Sequence, residues 1–125
     1  MNKLIVCGPP DFTDDDWLVD RIHDAIWELG GPGNVEIVSS YTAGPDAVAR
    51  EYADKRFVKC ATFKADWDHQ GRFAGSVRNA KMREHCYGHR TMVLVVGEIE
   101  NVIGIKDLIV SAPADFIVKK ITIPK

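Results

Sequence analysis

The chain has 125 residues, enough for one buried core and too few for two. A composition that is 46% hydrophobic and 27% charged is that of an ordinary folded domain, which excludes a disordered or membrane-embedded chain. A net charge of −2 gives no general reason to expect a nucleic-acid or membrane partner, and the three cysteines form neither a CxxC pair nor a close metal-ligand cluster.

Met1 to Cys7 contains too short an apolar run for a signal peptide or a membrane span, so the expectation is a soluble, cytoplasmic domain with reduced, structural cysteines. Leu4 to Cys7 reads as a buried first strand ended by Gly8-Pro9-Pro10. Thr13 is the expected N-cap of a first helix, with Asp16 three residues on as its capping-box partner. Behind it Trp17, Leu18, Ile22, Ala25, Ile26 and Leu29 recur at helical spacing, and Asp14, Asp15 and Asp16 complement the helix dipole. Gly30-Gly31-Pro32-Gly33 stops that helix.

Val35 to Val38 is a second strand, and Pro45 suits the first position of a second helix that ends near Lys55. Val58 to Phe63 is strand three, and Ser76 is the expected cap of a third helix running to about His85. Thr91 to Val96 is a continuous apolar strand suited to the sheet interior. Asn101 to Val110 reads as helical despite Gly104, and Phe116 to Ile123 as a final strand at a sheet edge, with Lys119 and Lys120 solvated there. Strands alternating with helices predict an α/β, three-layer sandwich with a mostly parallel central sheet of about five strands, formed by residues 1–125 as a single domain.

In such a sheet the loops after strands one to four share one rim, where ligands bind. Two of them lead into helix amino termini, whose N–H groups favour an anion. Ser39, Ser40, Tyr41 and Thr42 add hydroxyls, Arg72 and Arg78 supply charge, and Trp67, Tyr41 or Phe73 can stack on a base. The same residues also suit plain structural work, as caps or as a packed lid. His69 stands beside Asp66 and Asp68, which fits either an oriented general base or an exposed, hydrogen-bonded loop histidine. Cys86 and His89 lack the second ligand pair that a zinc site needs.

Two stretches carry a family resemblance. Val6-Cys7-Gly8-Pro9-Pro10-Asp11-Phe12-Thr13-Asp14 resembles the "VxGxRDFxD" opening of the YspA-like branch of the SLOG superfamily, related to the LOG phosphoribohydrolases and to DprA. Ala65-Asp66-Trp67, Gly71-Arg72, Ala74-Gly75, Arg78-Asn79 and Met82 are similar to that branch's "ADWxxxGxxAGxxRNxxM" segment. The resemblance implies a Rossmann-like fold that binds a nucleotide or nucleotide-derived ligand, without a cofactor. Many members of the branch are phage-encoded, so a phage source is among its implications. The ligand-binding residues it implies, together with the rim reading, are Gly8, Ser40, Thr42, Gly44, Asp46, Asp66, Trp67, Gly71, Arg72, Gly75, Arg78 and Asn79.

The chain also departs from that pattern. Where relatives carry a Gly-Gly-Ala-Arg-Gly-Ala-Asp type loop, Ser40 to Asp46 keeps only Gly44 and Asp46, and Ala43 replaces the arginine. The family's glycine-rich phosphate loop corresponds to Val96-Gly97-Glu98-Ile99-Glu100-Asn101, whose acids repel a polyanion. The glutamate that LOG enzymes use falls near Gly104. These losses favour binding (sensing or sequestering) over catalysis. Two alternatives stay open. One is a LOG-type nucleoside-phosphate hydrolase with Asp66 or His69 as acid/base, and the other a ligand-free scaffold that binds a protein partner. Exposed sheet edges and helix faces add the expectation of a homo-oligomer.

Overall fold

A computed structural model describes residues 1–97, 107–109 and 112–122. Five strands form one sheet: β1 (Asn2–Cys7), β2 (Val35–Ser39), β3 (Lys59–Thr62), β4 (Thr91–Val96) and β5 (Ile117–Ile121). Every pairing is parallel, and the order is β3-β2-β1-β4-β5. The helices between them are α1 (Asp15–Glu28), α2 (Pro45–Arg56), the four-residue α3 (Trp67–Gln70) and α4 (Ala74–Cys86). Residues 107–109 are also helical. The sheet is therefore α/β and Rossmann-like, as the alternation of strands and helices predicts.

Alternation along β1 builds two cores at once. Leu4 and Val6 point to one face, against Leu18, Ile22 and Ile26 of α1 and Val48 and Ala49 of α2. Ile5 and Cys7 point to the other, against Met82 and Cys86 of α4 and Leu108. Met92, Leu94 and Val96 repeat the first set along β4, and Val93 and Val95 the second. A strand buried on both faces needs an unbroken apolar run, which is why β1 and β4 read so clearly. The same second face carries a buried charge at the far end of the sheet. Lys3 Nζ bonds Glu36 Oε1 at 2.9 Å across the paired strands, and His85 bonds the same carboxylate.

Several local expectations are corrected. Asp14, not Thr13, caps α1, its side chain accepting from the Trp17 N–H. Ser76 lies inside α4, because the chain is already helical from Trp67 through a 3-10 turn at Gly71–Phe73. Asp66 takes the cap position instead and accepts from the His69 N–H at 3.3 Å. Cys60 is exposed on β3, an edge strand, whereas Cys7 and Cys86 are buried. Gly30 and Gly31 end α1 with φ of 107° and 95°, as their position predicts. Pro45 opens α2, and β5 forms the other sheet edge. The expected helix from Asn101 is described only at 107–109. The stretch aligned with the phosphate loop, from Glu98, and Gly104 lie outside the described residues. Among the described residues no helix is long and apolar enough to cross a membrane.

Candidate functional site

Strand order decides where the site forms. β1 connects through α1 to β2 on one side, while its neighbour on the other side, β4, arrives after two further crossovers. The chain thus winds outward on one side of β1 and crosses back to the other, and a crevice opens beyond the carboxyl ends of β1 and β4. A cavity of about 250 Å³ occupies that region, lined among the described residues by Ile5, Cys7, Gly8, Pro10, Ser40, Thr42, Ala43, Trp67, Gly75, Arg78, Asn79 and Leu108.

The cavity is held open by close backbone packing around it. A Cβ on Gly8 would sit 2.6 Å from Pro45 Cγ and 2.9 Å from the Val96 carbonyl oxygen, so the ends of β1 and β4 and the start of α2 converge there. Gly44, with φ of 79°, has its hypothetical Cβ 2.3 Å from the Pro9 carbonyl oxygen. Only glycine permits that approach and that backbone conformation together.

The β2–α2 loop is organised from beneath by Asp46, which is 2% exposed. Its carboxylate accepts from Ser39 Oγ at 2.9 Å, the Ser40 N–H at 3.1 Å, the Thr42 N–H at 2.9 Å and the Arg50 guanidinium. Ser40 and Thr42 hydroxyls bond each other at 3.1 Å. Tyr41 lies between cations, 4.6 Å from Arg50 and 4.3 Å from Lys64, and does not line the cavity. Two loop N–H groups, those of Ser40 and Thr42, are thus turned toward an internal carboxylate, and the Tyr41 N–H toward Ser39 Oγ.

The opposite wall comes from α3 and α4. Trp67 is 58% exposed at the cavity rim, and its ring carbon lies 3.5 Å from a hypothetical Cβ on Gly75. That same point is 3.9 Å from Arg78 Nη2, so the absent side chain of Gly75 leaves a methyl-sized gap between the indole and the guanidinium. Arg78 is positioned by its neighbour, donating from Nε at 3.4 Å and Nη2 at 3.3 Å to Asn79 Oδ1. Asn79 is buried and in turn donates to Asp107 Oδ2 at 3.0 Å. Burial lowers the Arg78 pKa from its ordinary value, and the charges of Asp46 and Asp107 oppose that shift. A guanidinium in this setting still carries its charge at neutral pH. The floor is neutral: burial, aided by Asp46, pushes the Cys7 thiol up to about 12.

Of the residues singled out from sequence, the cavity gathers Gly8, Ser40, Thr42, Trp67, Gly75, Arg78 and Asn79. Gly44 and Asp46 lie behind the loop wall, and Asp66, Gly71 and Arg72 stand outside the lining. Asp66 is engaged with His69, whose Nδ1 lies 2.9 Å from its Oδ1 with the ring 84% exposed. Arg72 stacks over Phe73 at 5.0 Å, and Phe73 is exposed. Of Trp67, Tyr41 and Phe73, the rings suited to stacking on a base, Trp67 lines the cavity. Sequence reasoning missed the apolar floor of Ile5, Cys7 and Leu108, because it requires knowing which face of β1 looks toward α4. Among the described residues no group of three or more His, Cys, Asp or Glu side chains is placed to hold a metal ion.

A family model described as "YspA, cpYpsA-related SLOG family" matches residues 2–69, more than half of the 125-residue chain. The match runs from β1 into α3 and stops before Gly71, Arg72, Gly75, Arg78 and Asn79. No curated protein and no solved structure matches the chain.

Proposed function

The chain belongs to the YspA, cpYpsA-related SLOG family, a Rossmann-like nucleotide-related domain, and from that premise we propose that its crevice binds a nucleotide or nucleotide-derived ligand without turning it over. One observation carries the reading. At the switch point between β1 and β4, an aromatic ring, Trp67, and a cation, Arg78, border one cavity, on either side of Gly75. A planar base lies against the indole, and a phosphate pairs with the guanidinium through parallel N–H···O bonds. The apolar floor of Ile5, Cys7 and Leu108 suits the remaining ring surface.

The arrangement favours binding over hydrolysis. Asp66 and His69, the acid/base candidates, bond each other outside the cavity lining, and His69 faces solvent. A general acid or base must reach the reacting atom within hydrogen-bond distance, directly or through one water.

The test is thermal unfolding of the purified protein against nucleosides, nucleotides, cyclic nucleotides and ADP-ribose-type compounds, with Arg78→Ala alongside. A binder present at about 100 times its Kd stabilises the fold by roughly 2.7 kcal/mol. For a domain this size that moves Tm by several degrees (on the order of 5 to 15 °C). The expected result is a shift in the unmutated protein that Arg78→Ala loses. A flat panel sinks the reading and leaves a scaffold for a protein partner; release of free base or phosphate replaces it with hydrolysis.

A further inference from the structure

A loop entering a helix amino terminus is where N–H groups usually meet a phosphate. In this chain the Ser40 and Thr42 N–H groups, the Ser39 hydroxyl and the Arg50 guanidinium are all taken by the buried Asp46 carboxylate. Ser40 and Thr42 line the cavity, yet their N–H groups are spent on Asp46. Arg78 is the one charged side chain among the described lining residues. It lies within the field of two carboxylates, Asp46 and Asp107. The Asp46 charge also reaches the floor, where it acts on the Cys7 thiol.

We propose that Asp46 is a specificity determinant that restricts the crevice to ligands bearing one anionic group beside a planar ring, and that turns away di- and triphosphates. The proposal rests on the nucleotide reading above. One guanidinium can hold one phosphate. A second or third phosphate finds the Ser40, Tyr41 and Thr42 N–H groups occupied and a fixed negative charge behind them. In a partly dehydrated crevice that repulsion is several times larger than in bulk water. Asp46 therefore works as an internal anion: it shapes the loop and sets its selectivity with the same four bonds.

The experiment is titration calorimetry of the whole chain with a nucleoside and its mono-, di- and triphosphate, for one purine and one pyrimidine series. Ionic strength is held constant and divalent cations are chelated. The monophosphate is expected to bind tightest in the better series, with the triphosphate weaker by about tenfold or more. Asp46→Asn, which removes the charge and keeps an acceptor, is expected to narrow that ratio to within about threefold. Arg50→Gln leaves the carboxylate and removes its compensating cation, and is expected to widen it. If Asp46→Asn fails to fold by circular dichroism, the unmutated protein and Arg50→Gln still decide. A triphosphate that binds the unmutated protein as tightly as the monophosphate overturns the proposal, as does an unchanged ratio in folded Asp46→Asn. If no compound of either series binds the unmutated protein, the nucleotide reading itself fails and takes this inference with it.

Discussion

In the loop between β2 and α2 the polar groups bond one another, whereas in the segment between β3 and α4 many of them stand in solvent. Ser39, Ser40, Thr42 and Arg50 converge on a carboxylate that is 2% exposed, and Gly44 locks the turn against Pro9. Across the crevice, Trp67 and Phe73 are mostly exposed, the Asp66–His69 pair lies at the surface, and a Cβ on Gly71 would meet nothing within 4 Å. Both segments look alike in composition. A polar rim residue serves the fold when its bonds are closed internally, and is free for a ligand when they are not. Arg78 belongs to both kinds: Asn79 orients it, and the cavity receives it.

The most severe way to break this comparison is Gly44→Ala. The new methyl group meets the Pro9 carbonyl oxygen at 2.3 Å, and the backbone at φ 79° is unfavourable for any L side chain. Strain and overpacking together predict a loss of about 3 kcal/mol. Urea unfolding measures it, and a loss below about 1 kcal/mol would show that the two rim loops slide past each other freely.

Asp66→Ala probes the opposite segment and predicts a smaller effect. Removing the acceptor for the His69 N–H and ring costs about 1 kcal/mol, the usual worth of an N-cap. Ligand affinity is expected to stay within about twofold, because Asp66 is outside the cavity lining. An affinity loss of tenfold or more would move the site to the Asp66–His69 face and restore the acid/base reading.

Gly75→Ala has the smallest effect on stability and the opposite sign. The residue sits in the first turn of α4, and its Cβ finds ordinary contacts at 3.5 Å from Trp67 and 3.9 Å from Arg78. Replacing a helical glycine stabilises by roughly 0.5–1 kcal/mol. The methyl group also fills the gap between indole and guanidinium, so ligand-induced stabilisation is expected to shrink while the unliganded Tm rises. A variant that gains stability and keeps full affinity would mean that the ligand does not pass between those two groups.

Much of the fold was legible along the chain. The unbroken apolar runs of β1 and β4, the glycines after α1 and the proline opening α2 each act within a few residues of themselves. Helix starts were less legible. Asp14 and Thr13 are both good caps, and Ser76 was passed over because Asp66 had already started the helical path ten residues earlier. Of the site, the strand-three segment and the serines and threonine after strand two were visible as a polar, glycine-rich rim. Their division of labour was not, because Asp46 reads equally well as a ligand contact or as a brace.

The alternating elements, the family and the candidate rim loops can be read along the chain, since dihedral preference and hydrophobic period are local properties. That β1 lies between β2 and β4, and that Gly8 meets both Pro45 and Val96, follows from long-range packing. It also turned the donors of one loop inward to Asp46 and brought Trp67 and Arg78 to a common cavity. Those outcomes depend on which distant surfaces pack together, and hydrogen-bond satisfaction can be judged only after that packing is complete.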